Sequence, residues 1–201
     1  MLKLRKIAIT GGLAAGKTSV CEIFRSLGAH VISADAIVHR LLSPTSEFHD
    51  KVVGLLGPDI LDEQRIDRVK VAKKVFRDPV LLRQLEALLH PAVRKEIELE
   101  YRHTQQNNPP SLFVVEIPLL FESSSEGLFD EVIAVVAPEE ICRARFAEAT
   151  GYGDEEFLAR SGRQLPASVK AERADFVIVN DDTFAVLKER TKNLYQTLVT
   201  I

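Results

Sequence analysis

A three-layer α/β fold, with a five-stranded parallel sheet between two layers of helices, is predicted by three observations. Short apolar runs at residues 7–10, 30–32, 112–117, 131–136 and 176–179 are rich in Ile and Val, the mark of strands buried on both faces. Stretches of helical period separate them, so successive strands run parallel through right-handed crossovers. The first run passes through a glycine-rich turn directly into a helix. At 201 residues the chain has the size of one large domain and can bury about 70% of its unfolded surface, so it needs no disulfides.

The turn after the first strand carries Gly11, Gly16, Lys17 and Thr18 in the spacing G-x-x-x-x-G-K-[ST]. Glycines allow tight curvature, and the backbone amides of Gly12, Leu13, Ala14, Ala15, Gly16, Lys17, Thr18 and Ser19 then converge on a polyanion. The helix that opens at Lys17 adds the positive end of its dipole. Lys17 is placed to reach the β- and γ-phosphates of a nucleoside triphosphate, and the Thr18 hydroxyl to ligate the accompanying Mg²⁺.

The helix should run over residues 17–27, with Val20, Ile23, Phe24 and Leu27 on its apolar face and Gly28 beyond its end. The second strand delivers Asp35 to its carboxyl end, where open α/β sheets place ligands; the spacing equally suits a cap of a helix over residues 36–42. From residue 43 to 108 the strand signal nearly vanishes. Phe48, Val52, Val53 and Leu56 form one helical face, Val69, Ala72, Lys73 and Phe76 a second, and Leu81, Leu82, Leu85 and Leu88 a third. His90-Pro91 reads as a break, with Pro91 opening a further helix, and a lone His there suits capping or packing. An insertion of this length is most economically a second binding lobe. The sequence Asn107-Asn108-Pro109-Pro110 is a linker.

Glu116, near the end of the third predicted strand, can act on the metal through a water or be an ordinary strand-end carboxylate. After the fourth strand, Pro138 opens a helix with Arg143 and Arg145. Gly151, Gly153 and Gly162 then bracket a segment with Arg160 and Arg163. Glycine hinges around arginines suit a lid over phosphates, although charged runs are also common on solvated helices. Residues two apart project to nearly opposite sides of a helix, so Arg143 and Arg145 cannot both face one site. The fifth strand, a turn at Asn180-Asp181-Asp182 and a helix from Thr183 complete the chain.

The net charge of −3 and isoelectric point near 6.0 give no basic footprint for nucleic acid. Cys21 and Cys142 sit inside helical patterns and read as buried small hydrophobes in a reducing, cytoplasmic setting. No apolar run approaches the ~18 residues of a membrane span, and no signal-peptide core is evident.

Thr10-Gly11-Gly12, Val31-Ile32-Ser33-Ala34-Asp35, Leu89-His90-Pro91, Pro118-Leu119-Leu120-Phe121-Glu122 and Ala174-Asp175-Phe176-Val177-Ile178-Val179-Asn180 occur in this order. Together they resemble the dephospho-CoA kinase family over nearly the whole chain. The resemblance implies a P-loop kinase fold that transfers the ATP γ-phosphoryl group to the 3′-hydroxyl of dephospho-CoA, with Mg²⁺. It implies a nucleotide-binding core of residues 1–35, 110–139 and 165–201, a helical CoA-binding lobe of residues 36–109 and a lid of residues 140–164. Asp35 matches the family's base; Lys17 and Arg145 complete the catalytic set. Thr10 and His90 join Asp35 at the acceptor, Asn180 matches a segment near the adenine, and Glu116 joins Thr18 at the metal through water.

Four departures accompany the resemblance. Ala14-Ala15 stands for the usual Gly-Ser, which is compatible only if neither position takes a positive φ. Ser33 replaces a first Asp, and Glu116 an Asp. Ala149 takes the place of a second lid arginine, so Arg145 is expected to face the ATP phosphates with Arg160 as partner, and Arg143 to be largely solvated. Two rivals are a P-loop kinase for another small alcohol or a nucleoside monophosphate, and a nucleotide-dependent switch. The switch reading lacks both an Asp-x-x-Gly after the loop and an Asn-Lys-x-Asp.

Overall fold

The alternation of strand and helix produces a five-stranded, all-parallel sheet in a computed structural model that describes residues 4–107 and 110–200. In chain order the described elements are β1 (Arg5–Gly11), α1 (Lys17–Ser26), β2 (His30–Ser33), α2 (Ala34–Leu41), α3 (Glu47–Leu56), β3 (Leu61–Asp62), β4 (Arg65–Ile66), α4 (Arg68–Val75) and α5 (Pro79–Gln106). There follow β5 (Leu112–Glu116), β6 (Glu131–Val136), α6 (Glu139–Thr150), α7 (Asp154–Ser161), α8 (Ala167–Arg173), β7 (Phe176–Val179) and α9 (Phe184–Thr200). The chain divides into two compact units, Met1–Ser33 with Tyr101–Ile201, and Ala34–Glu100. Asn108 and Pro109 of the predicted linker lie outside the described residues.

In the first unit the strand order is β2-β5-β1-β6-β7, which puts β1 at the centre. Alternate residues feed opposite faces of the sheet. Ile7, Ile9, Leu112, Val114, Ile133, Val135 and Ile178 share a core with Val20 and Phe24 of α1, Cys142 and Phe146 of α6, Phe157 of α7, and Leu187 and Leu198 of α9. Ala8 and Val132 face the other way, against Leu120 and Phe121. Tyr101 packs edge-on to Phe113 and its hydroxyl donates to Leu4 O at 2.6 Å. Both cysteines are buried, and burial pushes each thiol up, so they are inert core residues.

The second unit has its own core of Leu42, Val52, Leu56, Ile60, Val71, Val75, Leu85 and Leu89. Ser46 caps α3 and Asp67 caps α4. Three local expectations are corrected there. The buried face of α4 is Val71 and Val75, whereas Val69 and Phe76 are exposed. Apolar residues at 69, 71, 72, 75 and 76 admit two helical faces, and packing selects one. The short hairpin β3/β4 turns at Glu63 and Gln64, both at positive φ, with no glycine to announce it. Pro91 does not break the helix: it lies inside α5, which runs 28 residues. Its missing N–H and ring cost about 3 kcal/mol in a helix interior. Buried Leu85 and Leu89 before it and Ala92 and Ile97 after it offset that cost.

Candidate active site

At the carboxyl end of β1 the chain turns under close constraint. A Cβ on Gly11 would lie 2.2 Å from Val135 O, and one on Gly16 2.2 Å from Asn180 Nδ2. Gly16 also sits at φ 97, in the left-handed region. It precedes α1 without a side-chain cap, and the first turn of α1 carries no acidic residue. The amino-terminal amides and dipole of α1 are therefore not neutralised by an acidic side chain in its first turn. Lys17 Nζ donates to Gly12 O at 2.8 Å and to Gly11 O at 3.2 Å, which holds its ammonium within the loop.

Ala14 lies at φ 56, so the condition set for Ala14-Ala15, that neither position takes a positive φ, is not met. The loop's geometry is imposed by its neighbours, and an alanine there accepts the strain. Left-handed alanine costs about 1 kcal/mol more than glycine, which predicts that Ala14→Gly raises the thermal midpoint by about 2–4 °C. An unchanged or lower midpoint in a melting curve would contradict that strain.

The Thr18 hydroxyl donates to Glu116 Oε1 at 3.2 Å. The register explains the meeting: Glu116 pairs with Ile9 on one side and Ser33 on the other, so it ends β5 beside the phosphate loop. Asp35 lies two residues beyond Ser33, inside the first turn of α2 and exposed to solvent. It is the second residue of that helix and not the residue before it, which displaces the capping alternative. A carboxylate there is favoured by the helix dipole.

Asn180 is 5% exposed and acts as a tie. Its Nδ2 donates to Ala15 O at 2.9 Å, while Arg145 donates to Asn180 O at 3.1 Å and to its Oδ1 at 3.3 Å. Arg145 is thus joined to the phosphate loop through one side chain. Arg143, expected to be largely solvated, is not. It pairs with Glu139 and Asp154 and lies over Phe157, with its side chain 30% exposed. The turn that starts α7 brings Asp154 back to α6. Arg160 pairs with Glu156 at 2.7 Å and stacks on Phe146 and Tyr152; no described contact joins it to Arg145.

Thr10 is fully buried, and its hydroxyl donates to Pro118 O at 3.2 Å, so it braces a loop and does not present itself to an acceptor. His90 lies within α5, half-buried, and burial holds its imidazole below the usual range with Arg94 adding to the effect and Glu86 opposing it. A neutral imidazole donates at one ring nitrogen and accepts at the other. Sequence reading missed the tie through Asn180 side-chain atoms and the salt bridge of Arg143 to Asp154. Neither spacing nor residue type signals contacts made across 35 and 11 residues.

Known proteins are similar to this chain over nearly its whole length. The dephospho-CoA kinase family model matches residues 5–185. The dephospho-CoA kinase of Protochlamydia amoebophila is 47% identical over 199 residues, 98% of each chain. A solved structure from Thermus thermophilus superposes with a TM-score of 0.85 at 32% identity, covering 100% of this chain and 99% of that one. The dephospho-CoA kinase from Campylobacter jejuni gives a TM-score of 0.71 at 28% identity over 97% of each chain. With the phosphate loop, Glu116 and Asp35 set on β1, β5 and the helix after β2, and with the match extending through β7, the chain belongs to the dephospho-CoA kinase family.

Proposed function

We propose that this member of the family transfers the γ-phosphoryl group of ATP to the 3′-hydroxyl of dephospho-CoA, releasing ADP and coenzyme A. The observation that carries the assignment is the loop itself, an uncapped helix start with Lys17 folded into it and Thr18 against Glu116. Amides 12–19 and Lys17 bind the phosphates. The acceptor O3′ attacks Pγ as its proton passes to the Asp35 carboxylate; the bond from Pγ to the β-phosphate oxygen breaks, and its electron pair leaves with ADP. The helical unit supplies acceptor-binding residues, His90 among them, and residues 140–164 act as the lid.

The hydroxyl and carboxylate of Thr18 and Glu116 are hard oxygen donors, which fits Mg²⁺ held largely by phosphates and water. When bound, the ion neutralises charge on the β- and γ-phosphates. No helix among the described residues is long and apolar enough to cross a membrane, and the reading places the enzyme in the cytoplasm with small-molecule partners, ATP and dephospho-CoA, and no nucleic acid.

Arg145 carries the cationic role because its guanidinium is tied to Asn180 and through it to the phosphate loop. Arg145→Ala should lower kcat by the equivalent of about 2–4 kcal/mol, with a smaller effect on ATP binding. Arg143→Ala should leave kcat nearly unchanged and lower the thermal midpoint, because its partners Glu139, Asp154 and Phe157 hold α6 to α7. Steady-state kinetics and melting curves on the two variants test this. A larger kcat loss at Arg143 would overturn it.

A further inference from the structure

A lysine and a glutamate that this chemistry does not use are paired beneath the sheet's carboxyl edge. Lys170 of α8 has no solvent exposure, and its Nζ donates to Pro118 O at 2.7 Å and lies 2.9 Å from Glu122 Oε1. The Thr10 hydroxyl, from β1, donates to the same Pro118 oxygen. Glu122 Oε1 also accepts from the backbone N–H of Leu165 at 2.8 Å, and its Oε2 is buried without a hydrogen-bond partner among the described residues. One turn along α8, Arg173 pairs with Glu126 and covers the Phe121 ring.

Stability alone is a poor reason for this arrangement. A buried ion pair is commonly matched or exceeded by an apolar pair of similar volume, and an unpartnered buried carboxylate oxygen adds a further cost. What an apolar pair cannot do is fix one carbonyl oxygen in space. Pro118 is two residues past Glu116, and Ile117 N–H donates to Ile9 O at 2.9 Å, so the chain leaves β5 along a path set by these bonds. Glu116 reaches Thr18 from the start of that path. At the other end, Leu165, just past segment 140–164, packs against the cluster of Ala8, Leu120, Phe121 and Val132.

We propose that Thr10, Lys170 and Glu122 form a buried clamp on the Pro118 carbonyl and the Leu165 amide, and act as positioning residues that hold Glu116 at the phosphate loop during phosphoryl transfer. The clamp rests on the reading of Glu116 and Thr18 as the Mg²⁺ side of the site. It contributes no atom to the reaction. Its loss shows in kcat and in the Mg²⁺ requirement, because Glu116 drifts while the amide cradle for ATP stays intact.

The test uses the full chain with two substitutions together, Glu122→Gln and Lys170→Met, which remove both charges, keep the volume and leave an acceptor for the Leu165 amide. Thr10→Val, which buries no charge, is the second variant. In the double variant kcat should fall about tenfold or more, with KM for ATP within about twofold of wild type and a thermal midpoint close to it. Half-maximal activity should need more Mg²⁺, and amide hydrogen exchange over residues 117–126 should quicken. Thr10→Val should shift kcat, the Mg²⁺ requirement and the exchange rate the same way by about two- to threefold.

A double variant with a wild-type midpoint and full kcat would overturn the clamp, and so would an increase in KM for ATP at constant kcat. If the double variant does not fold, Thr10→Val decides: wild-type kcat and exchange there overturn the proposal. Glu116→Gln separates the parent reading. An unchanged Mg²⁺ requirement in that variant would defeat the metal assignment alone, and quickened exchange over 117–126 in Thr10→Val would still support the clamp.

Discussion

Lys17→Ala is expected to abolish measurable turnover and sharply weaken ATP binding. Lys17 is 9% exposed, and its ammonium is already held inside the loop by the carbonyls of Gly11 and Gly12. On the proposed reading it would meet the β- and γ-phosphates from within this loop, where a positioned charge is most effective. Loss of a preorganised donor of this kind costs about 10²- to 10³-fold in kcat, and removal of a full charge beside the polyphosphate should exceed that range. The fold should survive, since α1 is anchored by Val20, Cys21, Ile23 and Phe24. Calorimetry with ATP and a coupled ADP assay check both halves, and retained activity would show that the loop is not the ATP site.

Asp35→Asn should separate chemistry from binding. Asn keeps the shape and one acceptor oxygen but cannot take the hydroxyl proton, so kcat should fall about 10²- to 10⁴-fold while ATP affinity stays near wild type. The position makes this a clean experiment: Asp35 is exposed in the first turn of α2 and holds no described structural bond whose loss would confuse the result. A change of less than about threefold at saturating acceptor would demote Asp35 to a dipole partner of its helix.

The phosphate loop was legible because its function restricts residue type at fixed local spacing. Gly11 and Gly16 are required by close approaches of Val135 and Asn180, and a glycine can be read without knowing what approaches it. The five strands were legible because central strands, buried on both faces, must be nearly continuous runs of apolar residues. Legibility fell where packing chose among equal local options. The α4 face was ambiguous until the core took Val71 and Val75. Pro91 looked like a break because propensity sums omit the burial of Leu85, Leu89, Ala92 and Ile97 around it. The φ of 56 at Ala14 is set by the loop and not by its residue, so it leaves no sequence trace.

The site divides in the same way. Thr18 and Glu116 are far apart in sequence, yet strand-end logic placed both at the carboxyl edge, and they meet at 3.2 Å. The partners of arginines were not foreseeable, because long side chains choose among several acceptors only after helices are placed. Arg143 turned to Asp154 and Phe157, and Arg160 to Glu156 and two aromatic rings. The Lys170 pair with Glu122 was equally silent: a buried lysine reads in sequence as one more charge on a short helix.

The chain is an ATP-dependent kinase of the dephospho-CoA kinase family, with dephospho-CoA as its acceptor. ADP release measured with dephospho-CoA, with a panel of nucleoside monophosphates, and with no acceptor tests it most directly, especially with the phosphorylated product assigned by NMR. Rapid ADP release with dephospho-CoA alone, coupled to a phosphate ester on its 3′-oxygen, is the predicted result. Faster release with a nucleoside monophosphate, or release that is independent of any acceptor, would contradict it.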